Sequence, residues 1–275
     1  MRSGSEGGRL RVGVGGLGAI GLPVARRLDH GLPGLELAAV SARRRDVAER
    51  KIADFKAPVP VVPLAELTER ADVVVECAPA AVFAEIAEPA VAAGRTLVTA
   101  SCGVLLERGD LIARARETGA RIIVPTGALV GFDAVRGAAE GKIHSVHMIT
   151  RKPPGSLAGA PYLEANGIDL AGLDAPRKIF EGTAREGARG FPANVNVAAA
   201  LSLAGVGPDE TRLEIWADPA LTRNTHRIVV EADSTRFELS IAGVPSEGNP
   251  GTGKLTPLSV IATLRGLTAT LRVGT

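Results

Sequence analysis

One glycine-rich loop, four histidines and two cysteines are the residues of this 275-residue chain whose types and spacing allow chemistry. The loop reads GLGAIG and sets Gly16, Gly18 and Gly21 in the spacing GxGxxG. It follows an apolar run, LRVGVGG (10–16), and opens an amphipathic stretch, LGAIGLPVARRLDH (17–30). Between a strand and a helix, that spacing points to a dinucleotide rather than to glycines that merely turn the chain. Gly16 makes the tight turn, Gly18 lets backbone approach a pyrophosphate, and Gly21 lets helix and strand pack closely. The helix N-terminus adds free N–H groups and partial positive charge. The expected contacts are Gly16, Gly18, Ala19, Ile20 and Gly21, joined by Ala78 at the end of a later apolar strand.

The residue that reads the adenosine ribose stands near the end of the second strand and is acidic in a plain NAD binder. Here AVSARRR places Ser41 at that position, with Arg43, Arg44 and Arg45 after it. A hydroxyl beside a guanidinium suits a 2′-phosphate. The other reading is a solvated arginine cluster that opens the next helix. The expected cofactor is NAD or NADP, with NADP accepted alone or beside NAD.

His226 ends the polar approach of LTRNTHRIVVEA (221–232) and begins a β-branched strand. Two readings stay open: a structural or exposed histidine, or an imidazole that titrates near neutral pH and serves as general acid/base. His30, at a helix end beside Gly31, reads as a surface cation. His144 and His147 lie three apart on a strand and point to opposite faces, and no HExxH or Cys/His cluster occurs, so no metal site is expected. Arg151 and Lys152 in TRKPP stand at a strand end, as a carboxylate clamp or a solvated edge. In GFPANVNVAAA, Pro192 suits a first helical turn and puts Asn194 and Asn196 near a helix N-terminus. Their amides suit a carboxylate or a nicotinamide carboxamide, or simply cap the helix. Cys77 and Cys102 form no CxxC pair and read as small hydrophobes at strand ends in a reducing cytoplasm.

The elements that must position these groups follow from hydrophobic patterning. Strands are predicted at 10–16, 35–42, 59–62, 72–78, 95–101 and 120–126, with helical stretches between them. That alternation predicts an α/β fold whose N-terminal domain, residues 1–126, is a Rossmann domain with a doubly wound parallel sheet. After it come a long strand (143–153), a helix (191–205) and alternating strands at 211–218, 226–233 and 236–243. They predict a second α+β domain over 127–252, with a mixed or antiparallel sheet and roles in substrate binding and dimerisation. The C-terminal segment 253–275 carries a helix expected to pack back on the first domain, and a cleft between two lobes is the expected place for a site. A net charge of +2 and 3% aromatic content give neither the basic field nor the stacking platforms of a nucleic-acid binder. No apolar run approaches the ~18 residues of a membrane span. MRSGSEGGRL lacks the apolar core of a signal peptide and reads as a frayed tail.

Together these segments resemble the L-aspartate dehydrogenase family. The resemblance runs from VGVGGLGAIG through DVVVECAP, PTGALVGFDAV, RKPPG, GFPANVNVAAALSLAG and NTHRIVVEAD to PSEGNPGTGKLTPLSVIATLR. The first two segments are shared by many Rossmann enzymes, whereas GFPANVNVAAAL with NTH is far more specific. The resemblance implies NAD(P)-dependent oxidation of L-aspartate to iminoaspartate, hydrolysed to oxaloacetate and ammonia, and reversible as reductive amination. It implies that the imine can feed NAD biosynthesis, and that the enzyme is a cytoplasmic homodimer. It also implies His226 as the catalytic residue and cofactor contacts at Ala128 and Asn194. Arg151, Lys152, Asn194, Asn196 and Thr225 are the expected holders of the substrate's carboxylates. The arginines after Ser41 depart from a plain NAD reader. Two rivals share the first domain: a reductase of another imine or semialdehyde, similar to dihydrodipicolinate reductase or homoserine dehydrogenase, and a catalytically silent NADP-binding sensor.

Overall fold

The computed structural model describes residues 8–192 and 195–274. The N-terminal tail up to residue 7, read above as frayed, and Asn194 lie outside the described residues. The chain divides into two compact units. The first comprises the residues up to Ser101, Arg108–Pro125 and Pro257–Arg272; the second comprises Cys102–Glu107, Thr126–Thr256 and Val273–Thr275.

The first unit holds β1 (Leu10–Gly15), α1 (Gly21–His30), β2 (Leu35–Ser41), α2 (Arg45–Lys51), α3 (Leu64–Arg70), β3 (Val73–Glu76), α4 (Phe83–Ala92) and β4 (Thr96–Thr99). After α5 (Cys102–Leu105), which belongs to the second unit, come α6 (Gly109–Thr118) and β5 (Arg121–Ile123). The five strands are parallel, in the order β2-β1-β3-β4-β5. This is the expected doubly wound sheet with one strand fewer. The run 59–62 gives only a bridge from Val61 to Val40. Pro58, Pro60 and Pro63 in APVPVVP lack the N–H groups that a longer ladder needs.

The alternation VGVG in β1 builds two different faces. Val12 and Val14 are fully buried in a core with Val24 and Leu28 of α1 and with Val260 and Leu264 of the C-terminal helix. On the other face, a side chain at Gly13 would stand 3.1 Å from Ala71 and Leu67, and one at Gly15 would stand 2.8 Å from Ile86. The glycines therefore let α3 and α4 close onto the sheet.

The second unit contains α7 (Phe132–Ala139), β6 (Ile143–Lys152), α8 (Pro161–Ala165), β7 (Arg177–Thr183), α9 (Ala184–Gly190), α10 (Asn196–Ala204), β8 (Thr211–Ala217), β9 (Thr225–Ala232) and β10 (Arg236–Ala242). Before α11 (Leu255–Thr268), which counts with the first unit from Pro257 on, a two-stranded ribbon, β11 (Pro245–Ser246) with β12 (Asn249–Gly253), occupies the run read as a loop in the second unit. Its main sheet has the order β10-β9-β6-β8-β7 and is mixed: β6 and β8 run parallel, and the other pairs run antiparallel. Val146, Met148, Leu213, Ile215, Ile228 and Val230 alternate onto one buried face. The period-2 pattern of these strands produces that face directly.

Candidate active site

The last residues of the first sheet form one row. Gly15 pairs with Ser41 on one side and with Glu76 on the other, and Glu76 pairs with Thr99. From this row the chain enters the glycine loop. Gly16 adopts φ +99°, and any side chain there would stand 2.6 Å from the carbonyl oxygen of Cys77. At Gly21 a Cβ would fall 1.8 Å from the carbonyl oxygen of Gly16, so helix and loop close only around glycine. Gly18 is different: a Cβ there meets nothing within 4 Å. Its backbone is bare toward open space, while α1 begins without an acidic residue in its first turn and without a side-chain cap. A bare backbone at the start of a helix with no acidic first turn fits the pyrophosphate of a dinucleotide. Ala19 and Ile20 complete the turn, both half-buried.

Ser41 is buried, and its carbonyl accepts the Gly16 N–H at 2.8 Å, which ties the second strand to the loop. Of the three arginines beyond it, Arg44 pairs with Asp46 at 3.1 Å and Arg45 with Glu49 at 2.8 Å, both within α2. Arg43 is exposed and forms no ion pair among the described residues. Ala78 donates its N–H to Glu76 Oε1 at 3.0 Å.

The sequence reading missed Glu76. Its side chain is fully buried and accepts four hydrogen bonds: from Ala78 N–H (3.0 Å), the Thr99 hydroxyl (2.6 Å), Ser101 N–H (3.1 Å) and the Ser101 hydroxyl (3.0 Å). Burial raises its carboxyl above the usual carboxylate value, against the pull of these donors. The signal was present in DVVVECA, where one charge ends a run that is buried on both faces.

In the second unit, β9 presents His226 to the buried face, 3% exposed. Thr150 lies directly across the β6–β9 ladder, and its hydroxyl sits 3.2 Å from His226 Nδ1. Lys152, two residues further along β6, shares that face and is 4% exposed. Burial lowers the lysine's proton affinity to a pKa of about 8. Burial, and then the positive charge of Lys152, lower His226 to about 3. His226 is therefore a neutral imidazole across the whole neutral range. The expectation that it titrates near neutral pH is corrected on that ground.

The alternation of β6 separates residues that the sequence placed together. Arg151 points to the other face, 4.9 Å above the Trp216 ring and 3.6 Å from Asp218, while Thr225 lies opposite it in the ladder. Lys152 thus joins His226, and Arg151 and Thr225 do not, so the paired clamp of Arg151 with Lys152 is not formed by one face of the strand. Asn196 begins α10 and accepts the Gly103 N–H at 2.9 Å, so its carbonyl serves α5. Ala128 lies in the turn after Gly127 and is half-buried. Among the described residues no group of three His, Cys, Asp or Glu could hold a metal, and no helix is long and apolar enough to cross a membrane.

Comparison with known proteins accounts for both units. Residues 133–267 match a family model described as aspartate dehydrogenase, C-terminal, and residues 16–125 match one described as homoserine dehydrogenase, NAD binding domain. The first unit is thus an NAD(P)-binding domain. The chain is 56% identical to an L-aspartate dehydrogenase of Bradyrhizobium diazoefficiens, over 97% of this chain and 94% of the relative. It is 52% identical to L-aspartate dehydrogenase 3 of Bordetella bronchiseptica, over 97% of this chain and 98% of the relative. The fold is similar to that of the crystal structure of aspartate dehydrogenase from Thermotoga maritima, with a TM-score of 0.72, 24% identity, and coverage of 97% of this chain and 100% of that one. Aligned over nearly its whole length with relatives at these identities, the chain belongs to the L-aspartate dehydrogenase family.

Proposed function

We propose that this protein oxidises L-aspartate to iminoaspartate, which is hydrolysed to oxaloacetate and ammonia, and that His226 is its acid/base. The observation that carries the role of His226 is a buried, neutral imidazole held by Thr150 on the same sheet face as a buried lysine. The bound NAD(P) supplies the hydride acceptor. The ammonium of Lys152 attracts a carboxylate of the substrate, and a dicarboxylate that arrives beside two buried basic groups offsets their desolvation. Neutral His226 accepts a proton from the water that attacks the imine carbon. The imidazolium then returns a proton to the nitrogen as the carbinolamine collapses and ammonia departs. Thr150 fixes the ring, so the proton moves along one direction.

The preference among cofactors is part of the same proposal. Ser41 and the uncommitted Arg43 support acceptance of a 2′-phosphate, so the enzyme uses NADP alone or beside NAD. Asn194 and Ala128 remain proposed cofactor contacts, and Asn196, whose side-chain oxygen accepts the Gly103 N–H, a proposed substrate contact. The protein is proposed to work as a cytoplasmic homodimer. Size-exclusion chromatography with light scattering tests the dimer, and a monomer at micromolar concentration contradicts it.

The experiment for the activity is formation of reduced cofactor with a panel of amino acids and hydroxy acids, using NAD and NADP in turn. L-Aspartate is expected to give the highest kcat/KM with at least one cofactor. A higher value for a hydroxy acid or semialdehyde-derived substrate, or no turnover with any member, overturns the reading.

A further inference from the structure

We propose that Glu76 is a positioning residue that sets the redox preference of the bound cofactor, its buried carboxylate favouring the oxidised, positively charged nicotinamide over the reduced, neutral ring. The proposal rests on the first unit as an NAD(P)-binding domain and not on which amino acid is oxidised.

The first argument is place. The strand order reverses at β1, which pairs with β2 on one side and β3 on the other. Dinucleotides lie across the carboxyl ends of the strands at such a switch point. Ser41 ends β2, on the side where the adenosine ribose is read. Glu76 ends β3, across the switch point, on the side left for the nicotinamide half.

The second argument is charge. Each carboxylate oxygen of Glu76 accepts one backbone N–H and one hydroxyl. The two N–H groups can only donate, and a carboxylate accepts from all four partners at once. No cation pairs with it among the described residues; burial and hydrogen bonds alone set its state. A fixed negative charge in a dry place distinguishes two ligands that differ by one positive charge far more strongly than it would in water.

The third argument is rigidity. Through Ala78 N–H and Ser101 N–H, Glu76 pins the loops that leave β3 and β4. The first of these abuts the glycine loop, since a side chain at Gly16 would strike the carbonyl of Cys77. One side chain thus orders the backbone beside the glycine loop and, among the described residues, supplies the only charge in that network.

The test is equilibrium binding of NAD(P)⁺ and NAD(P)H, read by protein and nicotinamide fluorescence, without turnover. Glu76→Gln is the neutral variant. Glu76→Met with Thr99→Val is a second one, which removes acceptor and donor together and keeps the site apolar if the amide does not fold. Glu76→Asp keeps the charge. Both neutral variants are expected to raise Kd(oxidised)/Kd(reduced) by roughly tenfold, the scale of a unit charge acting over about 10 Å at an effective dielectric near 20. The aspartate variant is expected to weaken both forms alike and keep the wild-type ratio. Disordered loops alone would weaken both forms and leave the ratio unmoved. A neutral variant with the wild-type ratio, or an aspartate variant that shifts it as far as the neutral ones, overturns the proposal.

Discussion

The two sheets bury ionisable groups at their ends, and they do so in opposite ways. At the end of the first, the carboxylate of Glu76 is met by four donors, two of them backbone N–H groups of its own loops. At the end of the second, His226 and Lys152 are both basic, share one buried face, and lose proton affinity to burial. A buried charge with a full set of partners orders the backbone permanently. Two buried basic groups side by side favour an anion that comes and goes. The difference separates a structural cradle from the proposed reaction site, and each side of it can be broken on its own.

The largest effect on cofactor binding is expected at the cradle. Gly21→Ala places a methyl group 1.8 Å from a backbone oxygen, with no flexible side chain to yield. Cofactor affinity is expected to fall by at least about 100-fold and the Tm to drop, because helix α1 can no longer close on the loop. Gly18→Ala sharpens the contrast, since its methyl group enters open space. Its Tm is expected to match wild type while fluorescence titration shows weakened cofactor binding. Equal Tm losses in both variants would contradict the division of labour between the two glycines.

Next comes Lys152→Met. Loss of the cation proposed to meet a substrate carboxylate is expected to lower kcat/KM for aspartate by about 10²-fold or more, with cofactor Kd unchanged. The same variant removes a positive charge that depresses His226, so the pKa of the imidazole rises from about 3. The acid limb of the kcat/KM profile is expected to move to higher pH. An acid limb that stays in place would remove Lys152 from the environment of His226.

A third test reads burial without activity. His226 has its folded-state pKa depressed to about 3 from 6.5. Such a group contributes stability that is complete above pH 6.5 and is lost as pH falls toward 3, because the unfolded chain takes the proton first. His226→Gln is therefore expected to show a flatter decline of its urea midpoint between pH 6.5 and pH 4 than wild type. Parallel declines would mean that the imidazole is solvated.

The smallest effect is expected at Arg43. Arg43→Ala should raise KM for NADP by about tenfold and leave KM for NAD within twofold, as loss of one charge-assisted phosphate contact implies. Arg44→Ala and Arg45→Ala, whose side chains are engaged by Asp46 and Glu49, should change neither.

Local pattern made much of this legible in the sequence. Continuous apolar runs and the glycine spacing marked the parallel sheet and its loop, because both are determined by residues close in the chain. Where backbone chemistry intervened, the pattern misled. Prolines reduced the strand at 59–62 to one bridge, and the turn through Gly18 delayed α1 to Gly21. Helix α9 has no apolar period, yet Thr183 and Glu186 form a reciprocal capping box whose T-x-x-E spacing announces it. The neighbours of His226 were hidden for another reason. Thr150 is 76 residues away and meets it only through strand register. The separation of Arg151 from Lys152 follows from strand alternation alone, and could have been read from TRKPP once it was taken as a strand end.

Steady-state kinetics of His226→Ala with L-aspartate, run beside fluorescence titration of the cofactor, tests the central claim most directly. Removal of a general acid/base is expected to cut kcat by about 10²–10⁴ while cofactor Kd stays within about twofold of wild type. Turnover near the wild-type rate in a folded variant would contradict the assignment of the acid/base to this strand end.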